Sequence, residues 1–462
     1  MNLSPVPAVA VGLDFGEGPI RVGRLAARDR RIYFEYDADF IANAVEISPL
    51  SLPLRPGLQT ADPALFEGLP GVFNDSLPDG WGRLLFDRAL RVQGLLPEQF
   101  SPLDRLAHVG AHGMGALTYE PDLTPEEAAP PQTLELDRIA DQAQEVLEGQ
   151  ADDVLTELIA LNGSSAGARP KAMIGFNTVS GEALHGARSL PDGYDHWLVK
   201  FPNSHDGKDA GAIEFAYARM AFAAGIEMME TRLLTTGRGA AYFATRRFDR
   251  DGDKRLHAHT ASGLLHADHR IPSLDYEGLV ALTARLTRDV REVEKMFRLA
   301  AFNVIAHNRD DHAKNFTFLM NAQGEWRLSP AYDLTFSSGP GAEQTTMVMG
   351  EGRNPTVDHL RRLGETAALK KTRVNEIIDQ TRAAVRDWPD LAEAHGVTRT
   401  KWAGSRSPWL RKPRRTRRWT PLQPRLRSRR VQRPSSSLRS PNPRPPARRP
   451  TPPPASAPMK PY

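Results

Sequence analysis

Ala306-His307-Asn308-Arg309-Asp310-Asp311-His312-Ala313-Lys314-Asn315-Phe316 is a charged stretch entered from an apolar, helix-patterned segment containing Phe297, Leu299, Ala300 and Ile305. Ser329-Pro330-Ala331-Tyr332-Asp333-Leu334 comes next and puts Asp333 eighteen residues past Asn315. A polar, charged loop between two apolar elements is where sites are built.

The residue types and spacing match the needs of phosphoryl transfer from ATP. One carboxylate must orient the attacking hydroxyl and accept its proton, metal ligands must bridge the phosphates, and a cation must neutralise developing charge. Protein kinases place the base and a metal-binding amide as Asp-x4-Asn on one loop, with a second metal carboxylate after it. Asp310 and Asn315 have that spacing, and Asp333 is the later carboxylate. Asn315 and Asp333 both offer the oxygen ligands that Mg2+ prefers. Asp-x4-Asn alone recurs by chance, and a plain surface loop with Asp310 as a helix cap is the bland reading.

Upstream, Asn162-Gly163-Ser164-Ser165-Ala166-Gly167-Ala168-Arg169-Pro170-Lys171 is a small-residue loop ahead of a strand. Such loops let backbone N–H groups approach phosphates without a Cβ in the way, although a plain turn reads the same. Lys200 ends the strand-like run Trp197-Leu198-Val199-Lys200, where a kinase keeps its phosphate-pairing lysine. Glu214, on the following helical segment, is its candidate ion-pair partner.

Around these residues the chain divides in three. Residues 1 to about 120 are punctuated by Gly and Pro, with short strand-like runs such as Ile32 to Tyr36 and a last strand at Ala116 to Tyr119. A Pro- and Glu-rich linker, Glu120 to Gln132, leads to helical periodicity over Leu134 to Ala160. A second region, 133 to 400, has strands first (Ala172 to Phe176, His196 to Phe201, Leu233 to Thr236 and Ala241 to Phe248). A helix from Ala212 to Ala224, stopped at Gly225, interrupts them, and Tyr276 to Leu286 and Val290 to Ala306 are helical. Val374 to Trp388 reads as a further helix. Strands followed by helices predict an α+β, two-lobed fold.

The third region, 401 to 462, holds 18 Lys and Arg, 15 of the 38 prolines and no acidic residue. It cannot pack a core and is expected to be disordered. Two readings stand: a basic tail that touches nucleic acid or nothing, and an out-of-frame read-through of a GC-rich gene. The net charge of +4 over 462 residues belongs to this segment, because residues 1 to 400 carry 42 basic against 56 acidic groups, a net of −14. An acidic body argues against direct nucleic-acid binding. With no cysteine, disulfides and thiolate chemistry are excluded. No signal peptide is expected from Met1 to Leu13, nor a membrane span, so a cytoplasmic protein is expected.

Gly167-Ala168-Arg169-Pro170-Lys171, Trp197 to Phe201, Arg247-Phe248-Asp249-Arg250, Asp310 to Phe316 and Ser329 to Leu334 resemble, in order, the signature segments of HipA toxin kinases. Asn74-Asp75-Ser76-Leu77-Pro78-Asp79-Gly80-Trp81-Gly82-Arg83 is similar to the end of that family's first subdomain. The resemblance covers about residues 10 to 395. It implies a serine/threonine kinase with a small β-rich N-terminal subdomain and a mostly helical C-terminal lobe. Asp310 would be the catalytic base, with Asn315 and Asp333 on Mg2+. Ala166, Gly167, Ala168, Arg169 and Lys171 would belong to the phosphate loop, Lys200 would contact the ATP phosphates, and His312 and Lys314 would be further cofactor-binding residues. Arg246, Arg247 and Phe248 would be the hinge against adenine, with Arg246 where members often carry an acidic residue. Ser164, beside Ser165, lies where the family autophosphorylates, a charge that would disfavour the packed loop. The family further implies a HipB-type antitoxin that carries the DNA contact, and protein substrates that include aminoacyl-tRNA synthetases. Helices that close the family's last lobe are expected to be missing after about Thr398.

Three other readings compete with this one. Asp14-Phe15-Gly16 looks like a kinase metal motif or an actin-like sugar-kinase loop, but lies far upstream and reads as an early strand and turn. His307, Asp310, Asp311 and His312 suit a metal-dependent hydrolase, which leaves Asn315 and Asp333 without roles. A non-catalytic antitoxin- or nucleic-acid-binding protein would rely on the basic tail.

Overall fold

The computed structural model describes residues 5–29, 31–43, 45–124, 132–149, 154–162, 167–186, 188–203 and 206–398. Ser164, Ser165, Ala166 and the segment 401–462 lie outside the described residues.

The first core is built on an antiparallel sheet of β1 (Ala8–Leu13), β2 (Ile20–Arg28), β3 (Arg31–Tyr36) and β4 (Leu117–Glu120), in the order β3-β2-β1-β4. In β3, Ile32, Phe34 and Tyr36 are buried while Arg31 and Glu35 face solvent, the two-residue period of a half-buried strand. Asp14, just past β1, accepts the N–H groups of Gly16 and Gly18, as expected of a turn. Between β3 and β4 come four helices that the Gly- and Pro-punctuated pattern does not announce: α1 (Ala38–Ala42), α2 (Gly71–Asn74), α3 (Gly80–Val92) and α4 (Pro102–Val109). At α4, Ser101 Oγ accepts the N–H groups of Leu103 and Asp104, Asp104 accepts the Ser101 N–H, and Pro102 opens the first turn.

The expected single helical stretch from Leu134 to Ala160 is two helices, α5 (Leu136–Glu148) and α6 (Leu155–Asn162). Gly149 separates them, with φ of 88° and its N–H on the carbonyls of Glu145 and Val146, a left-handed stop that apolar spacing alone does not reveal. A five-stranded antiparallel sheet comes next: β5 (Lys171–Phe176), β6 (Ala183–His185), β7 (Asp195–Lys200), β8 (Thr231–Thr235) and β9 (Ala241–Arg246), in the order β6-β5-β7-β9-β8. Its register puts Lys171 directly opposite Lys200. Between β7 and β8 runs α7 (Ala210–Ala223), which stops at Gly225 as its sequence predicts.

The remaining chain is mostly helical. A short ribbon, β10 (Arg250–Asp251) and β11 (Lys254–Arg255), precedes β12 (His257–Thr260), α8 (Ala261–Leu265) and β13 (Leu274–Asp275). Then come α9 (Tyr276–Thr287), α10 (Val290–Ile305), the hairpin β14 (Thr317–Met320) and β15 (Trp326–Leu328), and β16 (Thr346–Met347), which pairs with β13. Finally, α11 (Val357–Thr366), α12 (Lys371–Arg386) and α13 (Trp388–Ala394) close the described lobe. At the start of α10, Asp289 caps the Arg291 N–H at 2.8 Å. Val293, Met296, Phe297, Ala300, Ala301 and Val304 then recur at three- and four-residue intervals and are buried. They join residues of α7, α9, α11 and α12 in the largest core. Among the described residues no helix is long and apolar enough to cross a membrane.

Candidate active site

The buried helix α10 delivers the chain into the charged loop. Ala306 ends the helix and His307 turns the backbone with φ of 57°. Asp311 anchors the loop from within. Its buried carboxylate accepts the Tyr276 hydroxyl at 2.8 Å, the Gln344 amide at 3.0 Å and the N–H groups of Thr345 and Thr346 at 3.0 and 3.1 Å. Burial outweighs these four donors and pushes its pKa up to about 6. The neighbouring Asp310 is exposed, and its carboxylate accepts no hydrogen bond from the described residues. Asn315 donates its amide N–H to the Asp310 carbonyl at 2.7 Å, which closes the loop and leaves the amide oxygen as an acceptor toward a cation.

The hairpin brings Asp333 to the same place. The strands β14 and β15 pair antiparallel, and just past β15 the Ser329 N–H donates to the carbonyl of Thr317, the first residue of β14, at 2.9 Å. The Tyr332 hydroxyl donates to the Lys314 carbonyl at 2.5 Å, so the residues next to Asn315 and Asp333 are in contact. Asp333 has φ of 57°, a conformation rare outside glycine and concentrated at functional sites.

Lys200 is the centre of the constellation. Its ammonium is 2.5 Å from Glu214 Oε1 on α7 and 2.7 Å from Asp333 Oδ1. Burial pulls Lys200 down, but the two carboxylates outweigh it and hold the group protonated, above its ordinary range. The Lys200 charge in turn holds Asp333 below the usual carboxylate range. Burial pushes Glu214 up against that same charge, and Arg169 reaches it at 3.6 Å. Asp333 keeps 37% of its side chain exposed against 12% for Lys200, so the carboxylate retains a face toward a ligand. Asn315 and Asp333 therefore supply two hard oxygen donors, one of them ionised, which fits Mg2+. Across the strand pair Lys171 is buried, and burial, then the Lys200 charge, pulls its pKa down to about 8.

The other sequence-predicted residues divide. Gly167 has φ of 103°, and a Cβ there would lie 2.6 Å from Lys171 Nζ. Lys314 Nζ is 2.7 Å from Asp79 of the N-terminal subdomain, a partner the sequence did not assign. His312 Nδ1 is buried without a hydrogen-bond partner among the described residues. The Arg246 side chain pairs with Asp195 at 2.9 Å. Arg247 is committed to Asp249, the Gly113 carbonyl and Met173 Sδ. The Arg246 and Arg247 side chains are therefore held by protein partners, and neither is placed as a ligand contact. The Phe248 ring sits 5.3 Å from that of Tyr332. Asp249, fully buried, also holds Arg250 and the Gly115 N–H, so this segment joins the sheet to the turn at Gly113–Gly115.

The metal-hydrolase grouping does not assemble. Asp311 is turned into the protein, and among the described residues no three His, Cys, Asp or Glu are placed to hold an ion. Ser48, His259 and Asp75 form a hydrogen-bonded Ser–His–Asp series at 2.9 and 2.6 Å. Ser48 and His259 are fully buried, so the series ties the first subdomain to β12 and offers no exposed nucleophile.

A β-sheet lobe whose strand lysine pairs with a helix glutamate, followed by a helical lobe carrying Asp-x4-Asn and a later Asp, is a two-lobed protein-kinase-like fold. The chain belongs to the HipA family: residues 18–120 match the HipA N-terminal domain and residues 163–388 the HipA-like C-terminal domain. "Putative kinase Y4mE" of Sinorhizobium fredii (strain NBRC 101917 / NGR234) is 27% identical over 382 residues, covering 72% of this chain and 82% of that protein. "Putative kinase Y4dM" of the same organism is 25% identical over 319 residues, 66% of this chain and 68% of that protein. Among solved structures, a chain of the Shewanella oneidensis MR-1 complex of HipA, HipB and operator DNA matches with a TM-score of 0.62. It is 15% identical and the match covers 86% of this chain and 94% of that one, a likeness of fold.

Proposed function

We propose that this protein is an ATP- and Mg2+-dependent serine/threonine protein kinase acting as a HipA-type toxin. The observation that carries the reading is Lys200 held between Glu214 and Asp333, in a chain whose Asp310 carboxylate is exposed and unpartnered among the described residues. Bound Mg-ATP supplies the phosphoryl group and the metal that screens its charge. Asp310 orients the attacking hydroxyl and takes its proton as the new O–P bond forms and the bond to the leaving ADP oxygen breaks. Lys200 and Lys171 neutralise phosphate charge, and Asn315 and Asp333 offer oxygens to Mg2+. The orphaned His312 Nδ1 is a polar atom suited to a phosphate. Backbone at Arg246 to Phe248 would face adenine.

Ser164 is the proposed autophosphorylation site. A HipB-type antitoxin is the proposed partner, supported by the HipB and operator DNA with which the Shewanella HipA was solved. DNA contact through that partner agrees with the acidic body. The proposed substrate is a translation-related protein such as an aminoacyl-tRNA synthetase, and the proposed location is the cytoplasm.

The test is incubation with Mg-ATP and mass-spectrometric mapping of phosphate, beside Asp310→Asn. Phosphate at Ser164 or Ser165 in the parent alone is the expected result. An ATP-binding, folded parent that transfers no phosphate to itself or to a protein substrate overturns the proposal.

A further inference from the structure

Asp79, Gly80 and Trp81 belong to the N-terminal subdomain, yet they touch two parts of the proposed phosphoryl-transfer site at once. Asp79 Oδ1 accepts the Gly167 N–H, and Trp81 donates its own N–H back to the Gly167 carbonyl at 3.0 Å. Asp79 Oδ2 takes the Lys314 ammonium at 2.7 Å, from the residue directly before Asn315. Lys314 is 6% exposed, so this pairing is shielded from solvent. Burial pushes the Asp79 carboxyl up, but Lys314 and the Gly167 N–H outweigh it and keep the group ionised. Gly80 has φ of 44°, and a Cβ there would lie 2.6 Å from the Gly167 carbonyl oxygen. The approach is therefore close enough to require glycine. Lys171 packs on the other side of Gly167, its ammonium against the place a Cβ would occupy. Gly167, Lys171 and the Lys314–Asn315 corner thus take their positions from one tripeptide outside the catalytic lobes.

We infer that Asp79 is a positioning residue for phosphoryl transfer, which sets the loop end at Gly167 and the catalytic loop at Lys314 in one mutual register. The inference rests on the proposed kinase activity. It makes the first subdomain part of the machinery. Asp79 touches neither nucleotide nor hydroxyl; it acts through the two elements that do.

The full-length parent is compared with Asp79→Asn, Asp79→Ala, Asp79→Glu, Gly80→Ala, Lys314→Met and the double variant D79N/K314M. The readouts are kcat and KM for Mg-ATP consumption, nucleotide affinity, and circular dichroism for folding. Asp79→Asn keeps an oxygen for the Gly167 N–H but loses the charge facing Lys314, and kcat is expected to fall about 10-fold. Asp79→Ala loses both contacts, with an expected fall of about 100-fold and nucleotide affinity changed less than about threefold. Asp79→Glu restores part of kcat, and Gly80→Ala lowers it without touching a charge. In the Lys314→Met background Asp79→Asn has little further effect, because the two act as a pair. A merely structural role would lower stability and leave kcat per folded molecule unchanged. That result, or a rise in kcat, overturns the inference; if Asp79→Ala fails to fold, Asp79→Asn and Gly80→Ala still decide it. A parent without any Mg-ATP-dependent transfer sinks the kinase reading, whereas an active parent with an equally active Asp79→Asn sinks this inference alone.

Discussion

Nucleotide binding is expected to take up a proton through Lys171. In the free protein its ammonium is buried opposite Lys200, and burial followed by that like charge pulls its pKa from 10.5 down to about 8. Between about pH 8 and 10.5 the folded chain then binds fewer protons at this group than the unfolded chain. Stability from Lys171 therefore rises with pH across that window and is lost as pH falls through 8, a difference of about 3 kcal/mol. Phosphate charge set against both lysines offsets the burial as well as the repulsion, and is expected to return Lys171 to about 10.5 or above. The complex then keeps a proton that the free protein releases, so affinity for Mg-ATP weakens about twofold at pH 8 and about tenfold at pH 9, relative to pH 7. Proton uptake is about 0.5 at pH 8 and about 0.9 at pH 9. Titration calorimetry in buffers of different ionisation enthalpy measures both quantities, and Lys171→Met should abolish both. A parent whose affinity stays flat from pH 7 to 9, or a Lys171→Met variant that still takes up the proton, refutes the reasoning.

Burial sets the remaining outcomes. Lys200→Met leaves the buried Glu214 carboxylate with only the Arg169 contact at 3.6 Å, and urea denaturation should show a loss of about 3 kcal/mol together with lost turnover; unchanged stability would contradict the ion pair. Asp310→Asn alters an exposed side chain that holds nothing. Its melting temperature should match the parent within about 1 °C while transfer falls at least about 100-fold, and a large shift in melting would mean Asp310 is structural. Asp249→Ala leaves Arg247 and Arg250 buried without their shared carboxylate and should cost about 3–5 kcal/mol, read by thermal or chemical unfolding. Burial pushes Asp249 up, but the two guanidinium groups hold it well below the ordinary carboxylate range. Its contribution should be full near neutral pH, begin to decline as pH falls below about 4, and be lost as pH falls on through the depressed folded value, and a parent whose acid unfolding matches Asp249→Ala would contradict this.

Two kinds of information were legible in the residues themselves. Period-two and period-3.6 apolar spacing wrote the longer strands and helices of the second region, and the short elements such as β10 to β16 went unread, because a strand or helix with one buried face must run long enough to repeat at its own geometric period. Asp310, Asn315 and Asp333 stood out as candidates because metal and base chemistry needs particular atoms at a short, fixed spacing, and Glu214 was reached from its place on the next helix. The break at Gly149 was hidden, since a left-handed stop leaves apolar spacing nearly intact on both sides. The Asp333 partner of Lys200 and the Asp79 partner of Lys314 needed the folded chain. Lys200 meets Asp333 across 133 residues and Lys314 meets Asp79 across 235, separations at which no local pattern says which of many carboxylates arrives. The protonation states belong to the fold as well: Lys171 and Lys200 are alike as residues, and the balance among burial, like charge and nearby carboxylates drives their pKa values apart. Sequence determined which chemistry the chain carries, because composition and spacing are local; tertiary structure decided which charges face one another, because that depends on how distant elements pack.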